Sequence, residues 1–351
     1  MEKVFEIGSR KIGPGYPAYV VAEMSANHGQ DIDEAIEIIK AAAAAGADAI
    51  KLQTYTPDTM TIDCDNDYFR IKGTLWVDRN LYELYAEAYT PWEWHPRLRD
   101  VANELGLDCF STPFDETSVD FLEDMNMPLH KVASFENVDL PLLRKIAQTG
   151  KPVIMSTGMA TLAEIDEAVR TLREAGNQQL ALLKCTSAYP APPGEMNLST
   201  IPHLSEAFSV PVGLSDHTLG TTVPVAAVAL GACIIEKHFT LSRSKPGPDS
   251  AFSLEPAEFK SMVEAVRITE QALGRVNYGV SEEEKKSRAF RRSLFVVQDM
   301  KQGEVFGPTN VRSIRPSNGL HTRYRDEVMG RRANQAISRG TPLNWDLIGD
   351  A

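Results

Sequence analysis

The sequence predicts a (β/α)8 barrel followed by a small, mostly β module. Between residues 18 and 274, short apolar runs alternate eight times with amphipathic segments. The runs are continuously apolar, as expected for strands that are buried on both faces of a parallel sheet. Eight strand–helix units in about 250 residues are typical of a (β/α)8 barrel. After Gly274 the chain becomes polar and then rich in turns.

The predicted strands follow one another at regular intervals and each is followed by a helical pattern. Their sequences are AYVVAEMSAN, DAIKLQTY, LDCFSTPF, LHKVASFE, PVIMSTGMA, QLALLKCTSAYP, PVGLSDHT and IIEKHFT. Several of the helical segments stop at a glycine, a common C-terminal signal. A doubly wound sheet is the alternative, but it would usually show a glycine-rich phosphate loop after its first strand, and AEMSANHG is not one.

The same patterns define the domain organisation. We expect a barrel with an N-terminal extension over residues 1–274, a polar linker over residues 275–290 and a small, mostly β domain over residues 291–351.

Composition and charge exclude several classes of function. The 351 residues have a net charge of −12 and no dense cluster of Lys and Arg, which argues against a nucleic-acid partner. The four cysteines are far apart, as expected for reduced thiols. No stretch has the roughly 18 apolar residues that a membrane span needs. We therefore expect a soluble cytoplasmic protein with no nucleic-acid or membrane partner.

Polar side chains gather where the predicted strands end, which is where barrel enzymes place their active sites. Lysines from different strands, together with Ser and Thr hydroxyls, suit a phosphate or phospho-carboxylate anion. Glu23 and Glu136 could move protons. Lys51 lies on a buried strand, where a lysine requires a partner. These residue types predict chemistry on a phosphorylated small acid.

Two consecutive predicted strands end in a histidine, His217 and His238. One such histidine alone would more often be a hydrogen-bonded core residue. A pair on neighbouring strands favours a divalent metal with open positions for water and substrate. His28 is a weaker candidate for a third ligand or a supporting group.

Nine motifs in order give the chain a wider resemblance. AEMSANHG, ADAIKLQTYTPDT, CFSTPF, HKVASFE, MSTGMA, LLKCTSAYPAP, VGLSDHTLG, IEKHFTL and GPDSAFSLEP resemble those of the sialic acid synthase family, which condenses phosphoenolpyruvate with an amino sugar. RRSL and SIRPSNGL resemble the antifreeze-like (SAF) domain of that family. The variants AEMSANH, QTYTPDT and VASFE are most similar to the branch that makes pseudaminic acid from 2,4-diacetamido-2,4,6-trideoxy-L-altrose.

The resemblance implies a TIM barrel, a homodimer with swapped C-terminal domains, and a role for each matching residue. It makes His217 and His238 ligands of a divalent metal, for which Mn²⁺, Mg²⁺ or Co²⁺ suits the site better than a closed zinc site. It places Glu23 and Glu136 near the sugar, and we expect these two to be the catalytic carboxylates, with either one deprotonating the water. The residues implied to bind phosphoenolpyruvate are Lys51, Thr112, Lys131, Ser134, Ser156, Ser187 and Ser215. Those implied to bind the sugar are Gln53, Tyr189, Asp249 and Arg315.

Three alternatives stay open at this point. The same reaction on another sugar would give N-acetylneuraminate or legionaminate. A metal-dependent barrel hydrolase would need more ligands than two histidines. An ice- or glycan-binding protein with an inert barrel should have a flat apolar surface on its C-terminal module, whereas RRSL and GRRANQ are basic.

Overall fold

A computed structural model describes residues 4–72, 76–77 and 79–350 of the chain. The chain divides into two compact units, Met1–Gly274 and Arg275–Ala351. Each unit has its own buried apolar cluster.

The first unit begins with a two-stranded antiparallel hairpin, β1 (Phe5–Ile7) and β2 (Arg10–Ile12). A closed barrel of eight parallel strands follows. Its strands are β3 (Tyr19–Glu23), β4 (Ala49–Thr54), β5 (Asp108–Pro113), β6 (His130–Val132), β7 (Val153–Ser156), β8 (Leu180–Cys185), β9 (Val212–Asp216) and β10 (Ile234–His238). Because β10 pairs with β3, the sheet has no edge, which confirms the predicted barrel and excludes the doubly wound alternative.

Helices follow the barrel strands, and most of them cover the outside of the barrel. They are α1 (Ile32–Ala44), α2 (Pro57–Met60), α3 (Leu81–Ala88), α4 (His95–Glu104), α5 (Glu116–Asp124), α6 (Leu140–Gln148), α7 (Leu162–Glu174), α8 (Thr200–Phe208), α9 (Thr222–Ala229) and α10 (Pro256–Leu273). Short 3-10 helices span Ser25–His28, Trp92–Trp94, Pro193–Glu195 and Ser250–Phe252. Side-chain caps fix several starts: Asp31 accepts from two amides of α1, and Thr161 forms a capping box with Glu164 at α7.

Apolar side chains fill two layers of the first unit. One layer lies between the strands and the helices, and its members alternate along each strand with inward-facing residues. The other layer joins the hairpin to the barrel interior, where Phe5, Ile7 and Ile12 belong to the same buried cluster as Phe110 and Leu183. The N-terminal extension is therefore a packed part of the barrel.

A long connection separates β4 from α4. It contains the short helices α2 and α3. Arg70 and Asn80 form an isolated antiparallel β-bridge within it. Asn80 caps α3 by accepting from the amide of Tyr82. This connection replaces the short βα loop found elsewhere in the barrel, and it supplies part of the cavity described below.

A buried ion pair joins the last two barrel strands on their outer side. Lys237 Nζ lies 2.5 Å from Asp216 Oδ2, and both side chains are fully buried. Asp216 also accepts from the amide and the hydroxyl of Thr218, while Lys237 donates to the Thr218 carbonyl. The pair thus fixes the backbone directly beside His217 and His238.

The second unit is small and mostly extended. Strands β11 (Ser293–Val296) and β12 (Val311–Ile314) pair antiparallel, and isolated bridges add further extended contacts. Helix α11 (Glu282–Arg288) is exposed and lies within residues 275–290, the segment that we expected to be a linker. Helix α12 (Arg325–Val328) and two 3-10 helices, Thr322–Tyr324 and Trp345–Leu347, complete the unit. Leu294, Val296 and Phe306 lie at the centre of its core.

Within the described residues, no helix is both long enough and apolar enough to cross a bilayer.

Replacing Lys237 with Met should destabilise the first unit by about 3–5 kcal/mol, because it leaves the Asp216 carboxylate buried without its partner. The double variant Asp216→Leu, Lys237→Met should recover most of this loss, because neither charge then remains buried. Urea unfolding followed by circular dichroism measures both effects. Equal stability of Lys237→Met and the unmodified chain would contradict the assignment.

Candidate active site

The carboxyl ends of the barrel strands surround a cavity of about 650 Å³. Thirteen of the residues predicted to form the site line it: Glu23, Lys51, Gln53, Thr112, Lys131, Ser134, Glu136, Ser156, Tyr189, Ser215, His217, His238 and Asp249. Strand ends that are distant in sequence meet there because the sheet closes on itself. His238 of the last strand lies in register with Glu23 of the first, and Glu23 lies in register with Lys51.

Two lysines and two glutamates form a buried charge cluster at the floor of the cavity. Lys51 Nζ lies 2.9 Å from Glu23 Oε2 and 3.1 Å from Glu236 Oε2. Lys131 Nζ lies 3.9 Å from Glu236 Oε1 and donates to Ser156 Oγ at 2.7 Å. Ser215 also donates to Glu236 at 2.9 Å. Glu236 therefore bridges the two lysines, and its side chain is held from three directions.

Burial and mutual interaction shift the protonation of this cluster. Burial raises the pKa of Glu23. Lys51 opposes this shift, and the negative charge of Glu236 adds to it. Burial also opposes ionisation of Glu236, but Lys131 and Lys51 outweigh it and hold the pKa of Glu236 well below its usual range. Burial lowers the pKa of Lys131 to about 8, with Glu236 opposing the shift. Glu236 is thus the permanently ionised member, and Glu23 is the carboxyl that can gain a proton near neutrality.

Hydroxyl groups surround the lysines. Thr112 Oγ1 is buried and makes no hydrogen bond within the described part of the chain. Ser134 Oγ accepts from the amide of Gly158 at 3.1 Å and is also hydrogen-bonded to the Cys185 side chain. A Cβ at Gly158 would lie 2.2 Å from Ser187 Oγ and 2.6 Å from Ser134 Oγ, so only glycine allows this close approach. An unsatisfied buried hydroxyl beside two lysines is a feature of an anion site.

A second set of polar side chains lies beside Glu23. Gln53 Nε2 donates to Glu23 Oε1 at 3.1 Å and to Ser25 Oγ at 3.0 Å. Ser25 donates in turn to Asp249, whose pKa is raised by burial. Ser25 has a φ of 48°, a left-handed conformation that costs free energy for serine. The hydrogen-bond chain holds this strained residue in the cavity wall.

The two histidines face each other with their ring centroids 5.4 Å apart. His217 Nδ1 lies 3.1 Å from the Thr186 carbonyl, which can only accept, so Nδ1 carries the proton and Nε2 keeps a lone pair. His238 Nδ1 is buried and has no hydrogen-bond partner among the described residues. Burial, and then the positive fields of His217 and Lys51, lower the pKa of His238 well below its usual value, so its imidazole is neutral. Burial opposes protonation of His217, but its contact with Cys185 raises the pKa of His217 overall, so a bound metal would have to displace that proton. Two neighbouring imidazoles at the strand ends fit a divalent metal with open positions.

Glu136 lies apart from the charge cluster, on the segment that follows β6. Its Oε2 atom is buried and makes no hydrogen bond within the described residues. Burial raises its pKa to about 7, with Lys131 opposing the shift. A carboxyl that titrates near neutral pH and faces a cavity is suited to act as a general base.

Two predicted residues do not line the cavity. Ser187 lies behind Gly158, next to the Ser134 hydroxyl, and Arg315 follows β12 in the second unit. His28 is also outside, since its ring contacts the Thr90 hydroxyl at 3.1 Å and accepts from the Gln30 amide. His28 is therefore a core histidine, and the weaker prediction of a metal role is wrong.

Sequence patterns missed several residues of the cavity. Glu236 was visible at a strand end, but its bridge between Lys51 and Lys131 depends on barrel closure. Cys185 lines the floor, with its Sγ 3.8 Å from His217 Nδ1. Tyr55 and Tyr85 enter from the long connection after β4. The only sequence signal for these tyrosines was the unusual length of that connection.

Comparison with known proteins agrees with this geometry. Residues 38–278 match the NeuB family and residues 291–349 match the SAF domain. The chain is 46% identical over 336 residues to the pseudaminic acid synthase of Helicobacter pylori. The match covers 95% of this chain and 98% of that protein. It is 48% identical over 325 residues to the pseudaminic acid synthase of Campylobacter jejuni subsp. jejuni, which covers 93% and 95% of the two chains.

A solved structure shows the same likeness. The crystal structure of an N-acetylneuraminic acid (sialic acid) synthetase from Leptospira borgpetersenii, in complex with citrate, matches with a TM-score of 0.73 and 31% identity, and the match covers 82% of this chain and 95% of that chain. The NeuB match alone spans more than half of the chain. The predicted resemblance to sialic acid synthases is confirmed: the chain belongs to the NeuB family.

Proposed function

We propose that this chain condenses phosphoenolpyruvate with 2,4-diacetamido-2,4,6-trideoxy-L-altrose and water to give pseudaminic acid and phosphate. One observation carries the proposal: two lysines, several hydroxyls, five carboxyls and two histidines share one cavity. The first groups suit a phosphorylated acid and the others suit carbonyl chemistry. The two relatives that are named pseudaminic acid synthases support the choice of sugar.

Phosphoenolpyruvate would occupy the floor, with its negative oxygens toward Lys51 and Lys131. Thr112 has a hydroxyl proton that no described group accepts, so it can donate to the phosphate or the carboxylate. Ser134 borders the same space, and it would have to turn its hydroxyl from Cys185 to do the same. Ser156 and Ser215 would complete the contacts, whereas Ser187 does not line the cavity and would not touch the ligand. This arrangement holds carbon 3 of phosphoenolpyruvate at a fixed place in the cavity, which converts the condensation into an effectively intramolecular step.

The sugar would bind in open-chain form with its aldehyde beside the histidines. Glu23, Gln53, Tyr189 and Asp249 line that side of the cavity. His217 and His238 would hold Mn²⁺, Mg²⁺ or Co²⁺, which would polarise the aldehyde oxygen as a Lewis acid. The ring of Tyr189 lies 4.3 Å from that of His217 and limits where the sugar can sit.

The chemistry then needs one carbon–carbon bond and one water. Carbon 3 of phosphoenolpyruvate attacks the aldehyde carbon, which leaves a cation at carbon 2 that Glu236 and Glu23 stabilise through their charge. Glu136 or Glu23 takes a proton from the water that adds at carbon 2. The resulting intermediate carries a hydroxyl and a phosphate on carbon 2, while the former aldehyde oxygen takes a proton and becomes a hydroxyl. It collapses as the carbon 2 hydroxyl loses its proton to form the keto group, and the bond between carbon 2 and the bridging oxygen breaks, so inorganic phosphate leaves with that oxygen.

Two further parts of the proposal concern the assembly and its setting. In a homodimer with exchanged C-terminal domains, Arg315 of one copy would reach the sugar site of the other. Cys64, Cys109, Cys185 and Cys233 are all free, which supports a reducing, cytoplasmic setting.

The alternatives have less support. Among the described residues, no three His, Cys, Asp or Glu side chains are grouped to hold a metal, which disfavours the hydrolase. An inert barrel would not retain two lysines and two glutamates in its interior, because such charges are costly to bury. N-acetylneuraminate or legionaminate synthesis would use the same floor and differ only in the sugar.

Phosphate release from phosphoenolpyruvate tests the proposed function directly. We expect purified enzyme loaded with Mn²⁺ to release phosphate with the diacetamido altrose sugar, and to lose the activity in excess chelator. N-acetylmannosamine and the legionaminate precursor, at equal concentration, are the matched alternatives. Preference for either would replace the sugar assignment, and silence with all three would refute the condensation.

The pH dependence of kcat tests the base. Because Glu136 has a pKa of about 7 and a base acts in its ionised form, the rate should fall about tenfold per unit as the pH drops below 7. Glu136→Gln should lower kcat by about 10²–10⁴-fold and remove this acid limb. Persistence of the limb in Glu136→Gln, with its loss in Glu23→Gln, would assign the base to Glu23 instead.

A further inference from the structure

The cavity has a polar floor and an apolar wall. The floor consists of the charge cluster and the histidines. The wall comes from the connection between β4 and α4, where Met60, Ile71, Leu81 and Leu84 line the cavity. These side chains have no group that can hydrogen-bond, so they cannot satisfy a sugar hydroxyl. The wall therefore suits methyl groups.

Two tyrosines interrupt this wall. Tyr55 directly follows β4 and Tyr85 lies on α3, with their ring centroids 5.7 Å apart in an edge contact. Tyr55 is also held by an edge contact with Phe114 at 5.2 Å. These ring contacts hold both side chains in place, and both side chains line the cavity.

Neither phenol hydroxyl makes a hydrogen bond within the described part of the chain. Burial raises the pKa of Tyr55, and the nearby carboxyls of Asp249 and Glu23 add to the shift. Burial raises the pKa of Tyr85, with Glu136 adding to it. Both hydroxyls thus remain protonated and lie near carboxyls that line the cavity. Both hydroxyls border the cavity without a partner in the described protein, so a ligand group in the cavity can accept from them.

On the basis of the proposed function, we propose that Tyr55 and Tyr85 bind the acetamido group of the sugar that is farther from the aldehyde. An amide carbonyl can accept from two donors, which matches two phenols with free protons. The acetamido methyl would pack against Leu81, Leu84 and Met60. One small group would then satisfy both the polar and the apolar parts of the wall.

The assignment to the far end of the sugar follows from the position of the wall. The aldehyde must lie at the floor, where the histidines and lysines are. The wall belongs to the long connection that leaves the barrel after β4. A sugar without a second acetamido group, such as N-acetylmannosamine, would leave the two hydroxyls unpaired, which is a penalty that selects against it.

Tyr55→Phe and Tyr85→Phe test the subsite without changing the shape of either ring. Tyr82→Phe is the matched control. Tyr82 lies on α3 with Tyr85 but does not line the cavity, and its hydroxyl donates to Asp58 Oδ1 at 3.1 Å. We expect each of the first two variants to raise KM for the diacetamido sugar by about three- to tenfold, the effect of one lost hydrogen bond. KM for phosphoenolpyruvate should not change in any of the three.

Activity with N-acetylmannosamine supplies the second comparison. We expect Tyr55→Phe and Tyr85→Phe to leave KM for that sugar unchanged, so that discrimination between the two sugars falls. Two results would overturn the subsite but leave the proposed function intact, provided that the wild type is active. One is an unchanged KM for the diacetamido sugar in both variants, and the other is an equal rise in KM for both sugars. A wild type that releases no phosphate with any sugar would overturn both.

Discussion

The buried ion pairs of Lys51 are the interaction on which the site depends. Lys51 lies between Glu23 and Glu236 at 2.9 and 3.1 Å, and all three side chains are removed from water. Removing any one of them would leave an uncompensated charge in the barrel interior, which is costly. Glu236 also reaches Lys131, so the cluster fixes both cations that face the cavity. An anionic substrate can then bind to cations whose positions are already set.

Barrel closure makes this cluster possible. Glu23 lies on the first barrel strand and Glu236 on the last, 213 positions apart in the chain, and they meet Lys51 only because β10 pairs with β3. The same pairing places His238 in register with Glu23. On the outer side of the sheet, the pair of Asp216 and Lys237 fixes the backbone beside both histidines. The positions of the histidine pair and of the lysine–glutamate cluster are therefore consequences of one strand arrangement.

The sequence predicted the features that depend on local residue patterns, namely the strands and the polar residues at their ends. Strand ends could be located from apolar runs, and thirteen of the fifteen candidate residues line the cavity because barrel strands point their ends to one face. It could not predict interactions between distant segments. The bridging role of Glu236, the helix in the expected linker and the entry of Tyr55 and Tyr85 from the long connection depend on packing that no periodicity encodes. His28 shows the converse, since a polar residue at a strand end can be satisfied within the core.

Binding of phosphoenolpyruvate alone tests most directly whether the charge cluster forms an anion site. Calorimetric titration would compare the wild type with Thr112→Val, which removes an unpaired hydroxyl from the cavity, and Thr171→Val, the same change on α7 outside it. We predict binding to the wild type, the same affinity in Thr171→Val, and affinity about ten- to hundredfold weaker in Thr112→Val, as expected for a lost hydrogen bond to a charged group. Equal affinity in all three proteins, or no binding to the wild type, would contradict the account.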